Sequence, residues 1–167
     1  MSADPGMVAG GEPAGTATLL LPAWPPRAFA IYAFRARQGT GRQPASALPA
    51  ALAARGMAVL TLDLGSSPPT AGTASTVDRD AAAVRLAADS LRAEHHPAAL
   101  LIGHSDAGPA VLAAAASLAD VRAVVTVGSP APASPGRAPV PLLVVHAPGH
   151  LEVSADEASR ISSASRH

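Results

Sequence analysis

The sequence predicts an α/β fold, a mostly parallel sheet with helices on both faces. Three observations carry this. Short apolar runs of strand length alternate along the chain with stretches of helical periodicity, the pattern of a parallel sheet with right-handed crossovers. The run Ala98–Ile102 contains no polar residue, as expected of a strand buried on both faces of such a sheet. Each apolar run ends in a loop rich in Gly, Ser or Pro.

The elements follow in order. Ser2–Thr16 is rich in Gly, Pro and Ala and reads as disordered, so the folded domain is expected over 17–167. Ala17–Leu21 is a short edge strand stopped by Pro22, and Trp24-Pro25-Pro26 makes a turn. Ala28–Phe34 is a strong strand. Pro44–Arg55 is helical, with Leu48 and Leu52 at i, i+4 and Gly56 in the C′ position. Met57–Asp63 is the next buried strand, and Leu64–Ser75 is loop. Asp78–His95 is the longest helix: Val77, Ala81, Val84, Ala88 and Leu91 form one apolar stripe, with Asp80, Arg85, Asp89 and Arg92 off it. Asp78 and Asp80 suit the positive end of the helix dipole, and His95 and His96 the negative end. After Pro97 come the strand Ala98–Ile102, a turn, and a helix over Ala110–Ala119. Arg122–Gly128 and Pro141–His146 are strands separated by a Pro-rich loop, and Ser154–Ala164 is a last short helix.

Composition narrows the classes of function. The chain has 167 residues, enough for one domain with a core, but 41 are Ala, so the core is expected to be thin. Every one of the 12 basic residues is Arg, and the formal net charge is zero. No electrostatic footprint for nucleic acid or an anionic membrane is present. There is no Cys, which excludes thiolate chemistry and cysteine metal sites. Met1–Thr16 lacks the basic and apolar regions of a signal peptide, and no run approaches the ~18 apolar residues of a membrane span, so the cytoplasm is the expected compartment.

In open parallel sheets, reactive groups collect at the carboxyl ends of the strands. Here those ends are Phe34–Arg37, Asp63–Ser66, His104–Asp106, Gly128–Pro130 and His146–His150. One of them carries a motif. Gly103-His-Ser-Asp-Ala107 fits Gly-x-Ser-x-Gly with Ala in the last place, and it lies between a strand and a helix that opens with Pro109. That context puts Ser105 on a sharp strand-to-helix turn, the setting of a nucleophile elbow, where the first helical N–H groups point at any oxyanion formed beside the hydroxyl. A chain this rich in Gly and Ser also produces Gly-x-Ser by chance, so the flanking strand and helix carry the reading.

The stretch Leu100–Pro132, together with Arg27–Phe34, Gly56–Asp63 and Pro141–His146, resembles the α/β-hydrolase family, and within it the hydrolase half of bacterial proteins that join an α/β-hydrolase to an OsmC-like domain. The resemblance spans about Leu20–His167. It implies a serine hydrolase of the carboxylic-ester type acting on a small-molecule ester. Ser105 would be the nucleophile, with the N–H groups of Asp106 and of Arg35 or Ala36 as oxyanion donors. The departures are specific. Phe34 stands where the family has a His near the oxyanion loop, and Asp106 and Ala107 replace the Leu and Gly of Gly-His-Ser-Leu-Gly-Gly. His150 stands at the acid position, and the chain ends at His167, before the strand that precedes the family's catalytic His. The expectation is therefore an α/β-hydrolase-like domain truncated at its C-terminus, with the last strand and the OsmC-like domain lacking. Its edge at Pro141–His146 would be exposed and prone to self-association.

A serine hydroxyl needs a base to become a good nucleophile. The loop Ser129–Pro139 holds no Asp or Glu, which leaves Glu152, Asp156 and Glu157 as acids. His104 precedes Ser105 and should point elsewhere; His95 and His96 belong to the opposite end of the sheet. A rearranged Ser105–His150–Glu152 set is the remaining route to a base, weighed against a loop histidine without a catalytic role. The His146/His150 spacing crosses a strand-to-loop junction, so it does not make a metal site, and Gly39-x-Gly41 lacks the third glycine of a dinucleotide loop. No metal and no cofactor is expected. Asp63 at its strand end reads as a residue that ties the following loop. The competing reading of the whole chain is a non-catalytic pseudo-hydrolase used for binding or association.

Overall fold

The computed structural model of the chain describes residues 16–36, 47–65, 75–130 and 140–145. The elements are β1 (Ala17–Leu20), β2 (Ala28–Phe34), α1 (Ala47–Ala54), β3 (Met57–Asp63), α2 (Thr76–Ala93), β4 (Ala98–His104), a short helical turn (Ser105–Ala107), α3 (Gly108–Ala115), β5 (Ala123–Val127) and β6 (Leu142–Val145). They form one six-stranded sheet in the order β1-β3-β2-β4-β5-β6. Only β1 runs antiparallel, pairing Ala17 with Leu62 and Leu20 with Val59. The other five strands are parallel.

The sheet separates two apolar layers. One holds Ile31, Leu101, Val111 and Val124 under α2 and α3; the other holds Ala30, Tyr32, Val59 and Ile102, with Leu48 and Leu52 of α1 packed against it. β2 and β4 are central and feed both layers, which explains their near-continuous apolar runs. A bulge breaks simple alternation in β4. Phe29 pairs with Ala98 but Ala30 pairs with Leu100, so Ala99 is the extra residue. Ala98 and Leu101 therefore both reach the α2/α3 layer, while Leu100 and Ile102 face the other. Ten of the 23 buried apolar residues among those described are alanine, in keeping with a thin core.

Several expectations are corrected. α2 begins at Thr76, two residues before the expected Asp78, because the Ser75 hydroxyl accepts the Asp78 N–H at 3.2 Å and caps the helix there. It ends at Ala93, so His95 and His96 are not in its last turn. His95 takes a positive φ of 63°, which turns the chain out of the helix. His96 stacks on Phe29, ring centroids 4.4 Å apart and planes 11° from parallel. Val77 is exposed rather than part of the buried stripe. Asp80, expected off the stripe, is 3% exposed, because it lies one turn before Val84 on the buried face, where an arginine from β2's end meets it. The helix expected over Ala110–Ala119 is α3, which starts and stops earlier at Gly108–Ala115. The helix expected over Pro44–Arg55 is observed as Ala47–Ala54, with 44–46 outside the described residues. The segment 1–15, the expected last helix Ser154–Ala164 and the rest of 146–167 also lie outside them. Among the described strands β6 is an edge, with Leu143 and Val145 exposed. No helix of the described residues is long and apolar enough to cross a membrane.

Candidate active site

The site is built at the carboxyl end of β4. Gly103 faces the α2/α3 layer, and a Cβ there would lie 2.6 Å from Val111 Cγ2 and 2.7 Å from Gly108 Cα. Only a glycine lets α3 approach the strand this closely. One residue later His104 turns to the opposite face, its ring 6.2 Å from that of Tyr32. Ser105 then takes a φ of 52°, in the left-handed region that disfavours every residue with a side chain. This positive φ is what reverses the chain from strand into helix within one residue, and it leaves the Ser105 hydroxyl at the sheet's carboxyl edge.

The turn is closed from below. The Gly108 N–H donates to the Ser105 carbonyl. Pro109 sits in the first turn of α3, where its missing N–H leaves no bond unmade. Ala107, in the last small-residue place of the motif, is fully buried. Gly108 meets β5's end: a Cβ on it would lie 2.3 Å from Ser129 Cβ and Oγ. The buried Ser129 hydroxyl donates to the Gly103 carbonyl at 3.2 Å, tying the strand before the elbow to the loop after β5. Beside it the Thr126 hydroxyl is buried without a hydrogen-bond partner among the described residues. Asp106 is exposed, at the N-terminal end of the turn and of α3, where a carboxylate is favoured by about 0.3–1 kcal/mol.

The opposite wall comes from the end of β2, which packs against the elbow turn. Arg35 gives its guanidinium to the Asp80 carboxylate of α2 and to the Gly65 carbonyl after β3. Arg79 reaches the other oxygen of Asp80 at 3.5 Å. Burial pushes the Asp80 carboxyl above its usual 3.8, against the attraction of both arginines. Asp63 Oδ1 accepts the N–H groups of Ala36 at 3.1 Å and Gly65 at 2.9 Å, the loop tie that its position predicts. The Ala36 N–H is thus given to Asp63. Of the two oxyanion donors expected after β2, this leaves Arg35.

Ser105, Asp106 and Arg35 therefore lie at one edge of the sheet. Among the described residues no side chain hydrogen-bonds to the Ser105 hydroxyl, and His95 and His96 lie before β4, at the other edge of the sheet. His146, His150, Glu152, Asp156, Glu157 and His167 are outside the described residues. No group of three metal-ligating side chains occurs among the described residues. Two contributors escaped sequence reading. Asp80 stands one turn before Val84, on the buried face of α2, but helical periodicity cannot show that an arginine meets it there. Ser129 carries no motif, and only its contact with Gly108 reveals it.

No protein-family model and no curated protein matches the chain. Solved structures do. The esterase domain of a Rhodothermus marinus protein superposes with a TM-score of 0.71 at 27% identity, over 89% of this chain and 76% of that one. An α/β serine hydrolase without a lid from Xanthomonas campestris superposes with a TM-score of 0.66 at 19% identity, over 86% of this chain and 70% of that one. Five parallel strands with an antiparallel β1, helices on both faces, and a serine between strand and helix give this chain the α/β-hydrolase fold.

Proposed function

We propose that the chain is a serine hydrolase of the carboxylic-ester type, acting on a small-molecule ester with low turnover. Ser105 is the nucleophile, and the N–H groups of Asp106 and Arg35 are the oxyanion donors. The observation that carries this reading is the φ of 52° at Ser105, between a glycine that admits α3 and a helix N-terminus. A strained backbone at a polar residue on the carboxyl edge of a parallel sheet is the mark of a group held for chemistry. The likeness to the Rhodothermus marinus esterase domain supports the same class. The stretch Leu100–Pro132 supports a relationship to the hydrolase half of the bacterial OsmC-like fusion proteins.

The reaction would begin with attack of Ser105 Oγ on the ester carbonyl, with the oxyanion stabilised by the two N–H groups. Acylation would expel the alcohol, and water would release the acid. No general base is assigned in this reading: Ser105 would react through its small ionised fraction, and His150, weighed as a base from the sequence, lies outside the described residues. Low turnover follows from Asp106, whose negative charge sits next to its own donor N–H and opposes a developing oxyanion.

A second reading, the pseudo-hydrolase that binds without turning over, is favoured by the Asp106 substitution in the elbow. The experiment that separates them treats the protein and the variants Ser105→Ala, His104→Ala and His150→Ala with a fluorophosphonate probe and a nitrophenyl ester. The expected result is slow labelling abolished by Ser105→Ala and little altered by either histidine variant. Ester turnover should rise with pH without a break near the histidine pKa of about 6.5. Labelling abolished by His150→Ala, with a titration near neutral pH, would establish a rebuilt triad and an efficient enzyme. No labelling of the parent would establish the pseudo-hydrolase.

A further inference from the structure

We infer that Asp80 is a positioning residue: by gripping the Arg35 guanidinium it fixes the backbone of Arg35–Ala36 against the elbow and so sets the oxyanion donor that faces Ser105. The inference rests on the proposed role of Ser105 and adds a residue that touches neither substrate nor nucleophile.

The geometry is a three-way tie. Arg35 follows the last residue of β2, so no strand pairing continues past it. Its side chain bonds to Asp80 in the second turn of α2 and to the Gly65 carbonyl in the loop after β3. The next residue, Ala36, gives its N–H to Asp63, and the same carboxylate oxygen takes the Gly65 N–H. The backbone of 35–36 is thus held by a side chain on one side and a carboxylate on the other. Both anchors converge on Gly65, whose positive φ of 71° lets it present its N–H and carbonyl to both. The end of β2 also packs on the turn Ser105–Ala107, so motion at 35–36 is motion beside the nucleophile.

Stability alone does not account for the pair. A buried ion pair stabilises little compared with apolar side chains of the same size, because desolvation offsets most of the attraction. The Asp80 side chain is 4% exposed and that of Arg35 17% exposed. Burial raises the Asp80 carboxyl in spite of two arginines, so the charge is held there against its own solvation. What the pair supplies is direction. A forked guanidinium between a carboxylate and a carbonyl fixes its own backbone in a way that apolar packing does not. Oxyanion donors act only when they lie about 2.7–3.1 Å from the developing charge, and a misplacement of about 1 Å removes about 10²-fold of rate.

The test compares Asp80→Asn, Asp80→Glu and Arg35→Lys with the parent. The readouts are the fluorophosphonate rate, separated into probe binding and the phosphonylation step, and amide hydrogen exchange. Asp80→Asn is expected to slow phosphonylation about 10²-fold with probe binding unchanged, and to speed exchange at Ala36 and Gly65 but not in β5. Asp80→Glu keeps the charge and is expected to recover part of the rate. Arg35→Lys keeps the charge but loses the fork, and is expected to behave like Asp80→Asn. It also serves as the second route if Asp80→Asn does not fold. Phosphonylation at the parental rate in the folded variants would overturn the inference. If the parent itself is not labelled, the proposed role of Ser105 fails and exchange alone decides the tie. Faster exchange at Ala36 and Gly65 in Asp80→Asn would sustain it, and unchanged exchange would overturn it.

Discussion

Gly103 and Val111 are so close that the Cβ which Gly103 lacks would lie 2.6 Å from Val111 Cγ2. Gly108 Cα would be 2.7 Å away on the same side. A valine methyl can rotate, but the backbone of α3 cannot move without shifting the elbow. Gly103→Ala is therefore expected to destabilise the fold by about 1–3 kcal/mol, the range for overpacking, and to abolish Ser105 labelling. Chemical denaturation measures the first effect. An unchanged midpoint would mean that α3 does not lie where the elbow needs it.

Ser105 sits at a positive φ that only glycine adopts without strain. Replacing it by glycine removes both hydroxyl and strain; replacing it by alanine removes the hydroxyl alone. Ser105→Gly is expected to be more stable than Ser105→Ala by about 1 kcal/mol, with both variants inert to the probe. Thermal unfolding of the pair reads the difference, and the opposite order would remove the strain from the account.

Ala107 is fully buried between the elbow and α3, whereas Ala82 is exposed on α2. Ala107→Leu is expected to cost about 1–3 kcal/mol. Ala82→Leu should stay within about ±0.5 kcal/mol, as surface changes do. Equal denaturation midpoints would contradict the close packing of the turn.

The raised Asp80 carboxyl gives stability a definite slope with pH. Between the unfolded value of 3.8 and the higher folded value, the folded chain binds a proton that the unfolded chain has released. Stability from this group is thus greatest at low pH and falls as pH rises through that window. Asp80→Asn removes the slope. The stability of the parent minus that of Asp80→Asn is expected to decrease from about pH 4 upward and then level off. Denaturation of both proteins at several weakly acidic pH values checks the sign, and a difference that grows with pH would show that the arginines outweigh burial.

Much of the architecture was legible because it rests on local chemistry. The polar-free run before Gly103 marked a central strand, Gly56 marked the end of α1, and small residues on both sides of Ser105 with Pro109 beyond marked a strand-to-helix turn. These signals survive in one dimension because each arises from a residue's own backbone limits or from burial on both faces. The β4 bulge did not, since inserting Ala99 changes no composition and reveals itself only through pairing with β2. The partner of Asp80 did not either: its spacing from Val84 puts it on the buried face of α2, but its ion pair joins positions 45 residues apart.

By itself, then, the sequence determined the strands, the helices and the serine turn, because strand burial, helix capping and the freedom of glycine act within a few residues of one another. Only the tertiary structure decided what ties the backbone after β2. The Ala36 N–H goes to Asp63 and the Arg35 side chain to Asp80, and both outcomes depend on β2, β3 and α2 being brought together by packing that no local rule encodes.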